Sequence, residues 1–187
     1  MSKPNLEEYG WVAVPRNRHN VPSAPASRTS NETIDFDKIW PNTKIVQLAK
    51  EYVASELPSV VLSHSLRVYC YGHTMVKLHF GDWASKDEFM ETWALTCLFH
   101  DIGTAPQNAK ATHMSFEFQG GFIALQWLLD NGAPREQAES VCEAIIRHQD
   151  PGESGTISRM GQLVQLATEF GKNLAPAAVN IADKAFR

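Results

Sequence analysis

An all-α bundle of about six helices is the fold this sequence predicts. Three observations point to it. Apolar residues recur at intervals of three and four from Thr43 onward, and proline, Asn-Gly and cap-type residues punctuate the segments. No segment of useful length shows the period of two, bounded by turns, that a sheet needs. With 187 residues, 43% of them hydrophobic, the chain suits one domain. A domain of that size buries roughly two-thirds of the surface its unfolded chain exposes.

The elements follow in order. Residues 1–34 read as an N-terminal arm: "YGWVAV" is an anchoring strand or loop, and "PRNRHNVPSAPASRTSNET" holds three prolines among small polar residues with little to bury. Residues 35–187 form the helical domain. Ile45, Val46, Leu48, Ala49, Tyr52 and Val53 mark the stripe of a first long helix that Pro58 stops. A second runs through "SVVLSHSLRVYCYGHTMVKLHF". Ser85 with Glu88 has the spacing of a capping box for a third, whose stripe of Phe89, Trp93, Leu98 and Phe99 leads to His100. "MSFEFQGGFIALQWLLDNG" is a fourth, ended by Asn131-Gly132, and Pro134 opens a fifth that reaches His148. Ser158 is placed to cap the sixth, "SRMGQLVQLATEF". Trp93, Phe99, Phe116, Phe118 and Trp127 are mostly core by spacing, with one or two of them available to wall a small pocket.

Composition excludes several classes. A net charge of -4 without a basic stripe argues against nucleic acid. No apolar run reaches the roughly 18–20 residues of a bilayer span, and "MSKPNLEEYG" lacks the apolar segment of a secretory signal. Cys70, Cys97 and Cys142 have no CxxC partner and read as reduced core thiols. The expectation is a soluble cytoplasmic protein, and a homo-oligomer is compatible with it.

Seven histidines are present. His19 and His79 read as surface residues, and His113 belongs to a loop. His73 follows His64 by nine residues, which at about 100° per residue turns it to the opposite side of the same helix. His64, His100 and His148 each interrupt a stripe that otherwise faces the core, an expensive place for an unpartnered polar ring. In "LTCLFHDIGTA", one reading has His100 capping helix-end carbonyls while Asp101 bonds the turn. The carboxylate, however, meets the negative end of the helix dipole, at a cost of a few tenths to about 1 kcal/mol unless a cation offsets it. A metal held by His64, His100 and Asp101 supplies that cation. Mixed nitrogen and oxygen donors suit zinc, iron or manganese rather than calcium.

The order His64, then His100-Asp101 followed by "IG", resembles the HD-domain superfamily of metal-dependent helical hydrolases. The blocks "GWVAVP", "LSHSLRVYCYG", "WALTCLFHDIGTA", "MSFEFQGGFIAL", "AESVCEAIIRHQD" and "GQLVQLAT", spanning Gly10 to Thr168, resemble the fungal cyanamide hydratase family. That resemblance implies a compact HD-domain bundle and a zinc enzyme, with iron or manganese less suited, that adds water to the nitrile of cyanamide to give urea. It implies His64, His100 and Asp101 as metal ligands. The family's fourth ligand, an aspartate three residues after the "LAT" threonine, is Gly171 here. Glu169 and Asp183 are the replacements at hand. Phe116 and Glu117 stand where two-metal relatives carry a histidine, and Gln149 replaces the glutamate of the family's "RHED". His148 or Glu117 is expected to deliver a proton to the nitrile nitrogen, and Thr168 to hold the substrate's amino end. The alternatives are an HD-type phosphohydrolase, for which Arg67 is the suitably placed cation, and an inactive homologue lacking one ligand.

Overall fold

The computed structural model describes residues 5–21 and 35–173. Eight helices occur among them. Six have 13 or more residues: α2 (Lys44–Glu56), α3 (Ser59–His79), α4 (Asp87–Phe99), α6 (Phe116–Asp130), α7 (Arg135–Arg147) and α8 (Arg159–Asn173). α1 (Phe36–Ile39) and α5 (Pro106–Lys110) are single short turns. The all-α bundle expected from the apolar spacing is thus the fold the chain adopts.

Each long helix forms where its stripe places it. In α2, Val46, Ala49 and Val53 are fully buried, and the chain leaves the helix at Leu57 because Pro58 follows. α4 is the central element: ten consecutive side chains from Thr92 to Asp101 include none that is exposed. It packs against α2, α3 and α7, so its C-terminal end, with His100 and Asp101, is surrounded by the other helices. Trp93 lies across α3 because Gly72 makes room for it; a Cβ there would fall 2.0 Å from the indole. The indole Nε1 donates to the Tyr69 carbonyl at 3.2 Å.

Three local expectations are corrected. A small antiparallel sheet does exist: β1 (Ala13–Pro15) pairs with β2 (Thr156–Ser158), Val14 opposite Ile157. Three-residue strands carry too little pattern for a period of two to show. The Ser85–Glu88 capping box does not form; α4 opens one residue later, with Lys86 at its cap, and the Ser85 hydroxyl donates to the Asp82 carbonyl instead. Phe118 is not core but 46% exposed. The Ser158 cap is present, its hydroxyl accepting from the Gly161 amide at 3.1 Å.

Residues 5–21 are packed on the helices. The Trp11 Nε1 donates to the Glu136 carbonyl at 2.8 Å, the Ser140 hydroxyl donates to the Tyr9 carbonyl at 2.6 Å, and Arg16 pairs with Asp150 at 2.7 Å. Cys70, Cys97 and Cys142 are free and buried. Among the described residues no helix is long and apolar enough to cross a membrane.

Candidate metal centre

His64 comes from the second turn of α3, His100 caps the C-terminus of α4, and Asp101 opens the 3₁₀ turn Ile102–Thr104 that follows. One ligand atom from each lies within 4.8 Å of the others. Asp101 Oδ2 is 3.2 Å from His100 Nε2 and 3.8 Å from His64 Nε2. The cluster is graded in depth: the His100 side chain is 1% exposed, Asp101 17% and His64 31%. His64 therefore marks the solvent side. His73 is outside the cluster; it sits against the Tyr69 ring, and burial, reinforced by Lys77, lowers its pKa.

His100 makes the helix-capping contact that one reading of the sequence gave it. Its Nδ1 lies 2.8 Å from the Cys97 carbonyl, a last-turn acceptor of α4. A carbonyl only accepts, so Nδ1 carries a proton and Nε2 is the ring atom turned to Asp101. That Nε2 is buried without a hydrogen-bond partner among the described residues. Burial pushes the Asp101 carboxyl up, but the His100 imidazole beside it, with His64 and His148 farther out, outweighs burial and holds it at about 2. A carboxylate and an imidazole nitrogen 3.2 Å apart call for a positive charge between them, either a proton on the ring, which holds the Asp101 carboxyl low, or a cation. The donor set fits a divalent metal on that ground: two imidazoles and a carboxylate, one acceptor already buried and unsatisfied.

Histidine 148 joins the rim of this cluster. It caps α7, its side chain is fully buried, and its Nε2 is 3.9 Å from Asp101 Oδ1. Its Nδ1 donates to the Ile145 carbonyl at 2.7 Å. Burial, then the His100 ring, lowers its pKa to about 4. The proton-donor role expected of His148 does not fit this state: near neutrality its one N–H is committed to the backbone and its Nε2 has no proton to give.

A family model described as the HD domain matches residues 61–180. The chain belongs to the HD-domain family. It is also 38% identical over 167 residues to cyanamide hydratase DDI2 of Saccharomyces cerevisiae, and equally to cyanamide hydratase DDI3 of the same yeast. Each alignment covers 87% of this chain and 70% of the relative. The HD doublet itself is His100-Asp101, at the buried end of the central helix.

Beside the HD cluster lies a cavity of about 540 Å³, lined by His148, Gln149, Gln162, Thr168, Glu169 and Arg16 among others. It meets the cluster through His148. The Thr168 hydroxyl donates to the Val164 carbonyl at 2.8 Å, so toward the cavity it offers only oxygen lone pairs. Glu117 is half-buried in the first turn of α6, where its charge acts on His148, and Phe116 stacks edge-on to His148 at 5.6 Å between centroids. Gly171 lies in α8, one turn beyond Thr168. Asp183 lies outside the described residues. Arg16 was not legible as a cavity residue, because only its pairing with Asp150, 134 positions away, brings it there.

Proposed function

We propose that this HD-domain chain is a hydro-lyase that adds water across the nitrile of cyanamide, giving urea. The observation that carries the reading is the cluster of His64, His100 and Asp101 within 4.8 Å, in a chain 38% identical to two yeast cyanamide hydratases. Those three residues would hold the metal, with zinc favoured over iron and manganese by the imidazole share of the donors. When bound, such an ion supplies Lewis acidity, lowering the pKa of water from about 15.7 towards about 7.

The chain's own residues supply the proton path. Net reaction requires a new C–O bond, loss of one π bond of the nitrile, and transfer of water's protons to nitrogen. The Glu117 carboxylate takes a proton from the attacking water and returns it to the nitrile nitrogen; a second shift from oxygen to nitrogen completes urea. Thr168 Oγ1 accepts a hydrogen bond from the substrate's amino group, because its own proton is held by Val164. Arg16, the cation on that wall, is neutralised by Asp150, which suits an uncharged nitrile better than a phosphate ester. Three reduced thiols suit a cytoplasmic site of action.

The test is direct. Protein loaded with zinc is incubated with cyanamide and urea is measured, and in parallel with nucleoside monophosphates while phosphate is measured. Urea without phosphate supports the reading; phosphate without urea replaces it with a phosphohydrolase, and neither product, with zinc bound, makes the chain an inactive homologue.

A further inference from the structure

The loop of residues 149–155, which leads from the end of α7 towards β2, supplies Gln149, Pro151, Gly152 and Glu153 to the wall of the cavity beside the HD cluster. It has no apolar anchor. Every residue in it is exposed except Gly152, which is half-buried. What holds the loop is polar, and most of it comes from one side chain of the N-terminal arm. The Asp150 carbonyl accepts from Arg16 Nη2 at 2.5 Å, and the Asp150 carboxylate lies 2.7 Å from the same nitrogen. At the other end of the loop, the Gly155 carbonyl accepts from the Arg16 amide at 3.1 Å. Between these two contacts the guanidinium occupies the space of a side chain at Gly152, where a built Cβ would fall 2.5 Å from both Cζ and Nε. Arg16 Nε is buried without a hydrogen-bond partner among the described residues, a cost that the other contacts of this side chain must offset. The Asp150 carboxylate is 70% exposed, and an ion pair that open to water contributes little. The carbonyl contact and the seat on Gly152 therefore do most of the fixing. From α8, Gln165 Nε2 donates to the Asp150 carbonyl at 3.0 Å, and Gln162 Nε2 to the Pro15 carbonyl at 2.8 Å. Arm, loop and α8 close one ring around the cavity.

We infer that Arg16 is a positioning residue of the substrate cavity: it reaches across from the N-terminal arm and holds the loop after His148 in the shape of the cavity wall. It acts through that loop rather than on the reacting atoms. Its effect falls on how a substrate is held beside His148 and Thr168. The inference rests on the reading of this cavity as the place where substrate binds. A planar guanidinium is needed, since one nitrogen serves Asp150 while the flat face lies against Gly152.

Full-length, zinc-loaded protein is digested with a glutamate-specific protease, and cleavage after Glu153 is followed by mass spectrometry. Losing a hydrogen bond to a charged group favours local opening by about tenfold, and cleavage tracks the open population, so Arg16→Ala is expected to be cut there about tenfold faster. Cleavage at other glutamates stays at the parent rate. Gly152→Ala, whose methyl must push the guanidinium aside, speeds the same cut in the parent but not in Arg16→Ala. Asp150→Asn, which keeps the carbonyl contact, stays close to the parent. No acceleration in Arg16→Ala, or equal effects of Gly152→Ala in both backgrounds, overturns the inference. So does faster cleavage at every glutamate, which is loss of the fold as a whole. Should Arg16→Ala fail to fold by circular dichroism, Gly152→Ala compared with Asp150→Asn decides. With cyanamide as substrate, Arg16→Ala is expected to raise KM and leave kcat nearly unchanged, the pattern of lost binding rather than lost chemistry. A fall in kcat at constant KM, or full recovery in Arg16→Lys, overturns the positioning role. If the parent makes no urea, the hydratase reading fails and the cuts at Glu153 alone decide on Arg16. If urea forms and those cuts do not change, only the inference about Arg16 falls.

Discussion

Gly103 sits so close to the Phe116 carbonyl that a Cβ built on the glycine would fall 2.0 Å from that oxygen. The same crossing brings Gly120 against the Gly103 backbone, 3.1 Å from its built Cβ to the Gly103 nitrogen. This contact is what presses the start of α6, with Phe116 and Glu117, onto the turn that carries Asp101. The glycine after "HDI" is therefore a packing requirement of the site.

From this follows the first prediction. Gly103→Ala must move backbone rather than a flexible side chain, so a loss of about 1–3 kcal/mol is expected. For a chain of this size each kcal/mol lowers Tm by roughly 2–4 °C. Thermal denaturation of the metal-free protein measures it. An unchanged Tm would mean that α6 does not rest on this turn.

Much of this arrangement was legible in the sequence, and the parts that were not share a physical reason. The stripes of α2 and α4 foretold which residues are buried, because helical period and burial are two views of one constraint. His64, His100 and Asp101 were legible for the converse reason: polar side chains on apolar stripes need a partner. The sheet between β1 and β2, the Arg16–Asp150 pair and the face of Phe118 were not, since each depends on segments far apart in sequence. The tautomer of His148 was hidden too. It is set by the distance to the Ile145 carbonyl, which spacing alone does not give.

The second prediction separates two histidines of one helix. His64 and His73 are nine residues apart, so they are displaced by about 13 Å along α3 as well as turned to opposite sides. His64→Ala and His100→Ala are expected to abolish zinc retention through gel filtration in dilute chelator, and His73→Ala to leave it intact. Equal losses in all three would contradict the helix geometry.

The third prediction concerns pH. His148 has its folded pKa lowered from 6.5 to about 4, so the unfolded chain binds a proton that the folded one refuses between those values. Stability therefore falls as pH drops through that window, by up to about 1.4 kcal/mol per pH unit for one proton. His73, also lowered, adds in the same direction. Asp101 behaves oppositely in position: lowered from 3.8 to about 2, it contributes stability above its unfolded value and loses it only as pH falls towards 2. Urea midpoints of the chelator-treated protein between pH 7 and 5 should decline, before most carboxylates titrate. His148→Gln should flatten the slope; a slope unchanged by that substitution would place the responsible proton elsewhere.

The last prediction returns to Gly171, which α8 carries in helical conformation one turn beyond the buried Thr168. Residues three apart share a helix face, so position 171 continues the face that lines the cavity with His148. Replacing glycine by aspartate gains a few tenths of a kcal/mol in helix propensity. A carboxylate near the helix C-terminus loses about as much, a few tenths to 1 kcal/mol, against the dipole. The two nearly cancel, so the Tm of metal-free Gly171→Asp should stay within a few degrees of the parent. Zinc affinity should rise instead, because only the bound ion turns the new charge from a cost into a ligand. A gain in Tm without any gain in affinity would mean that this end of α8 stands away from the metal centre.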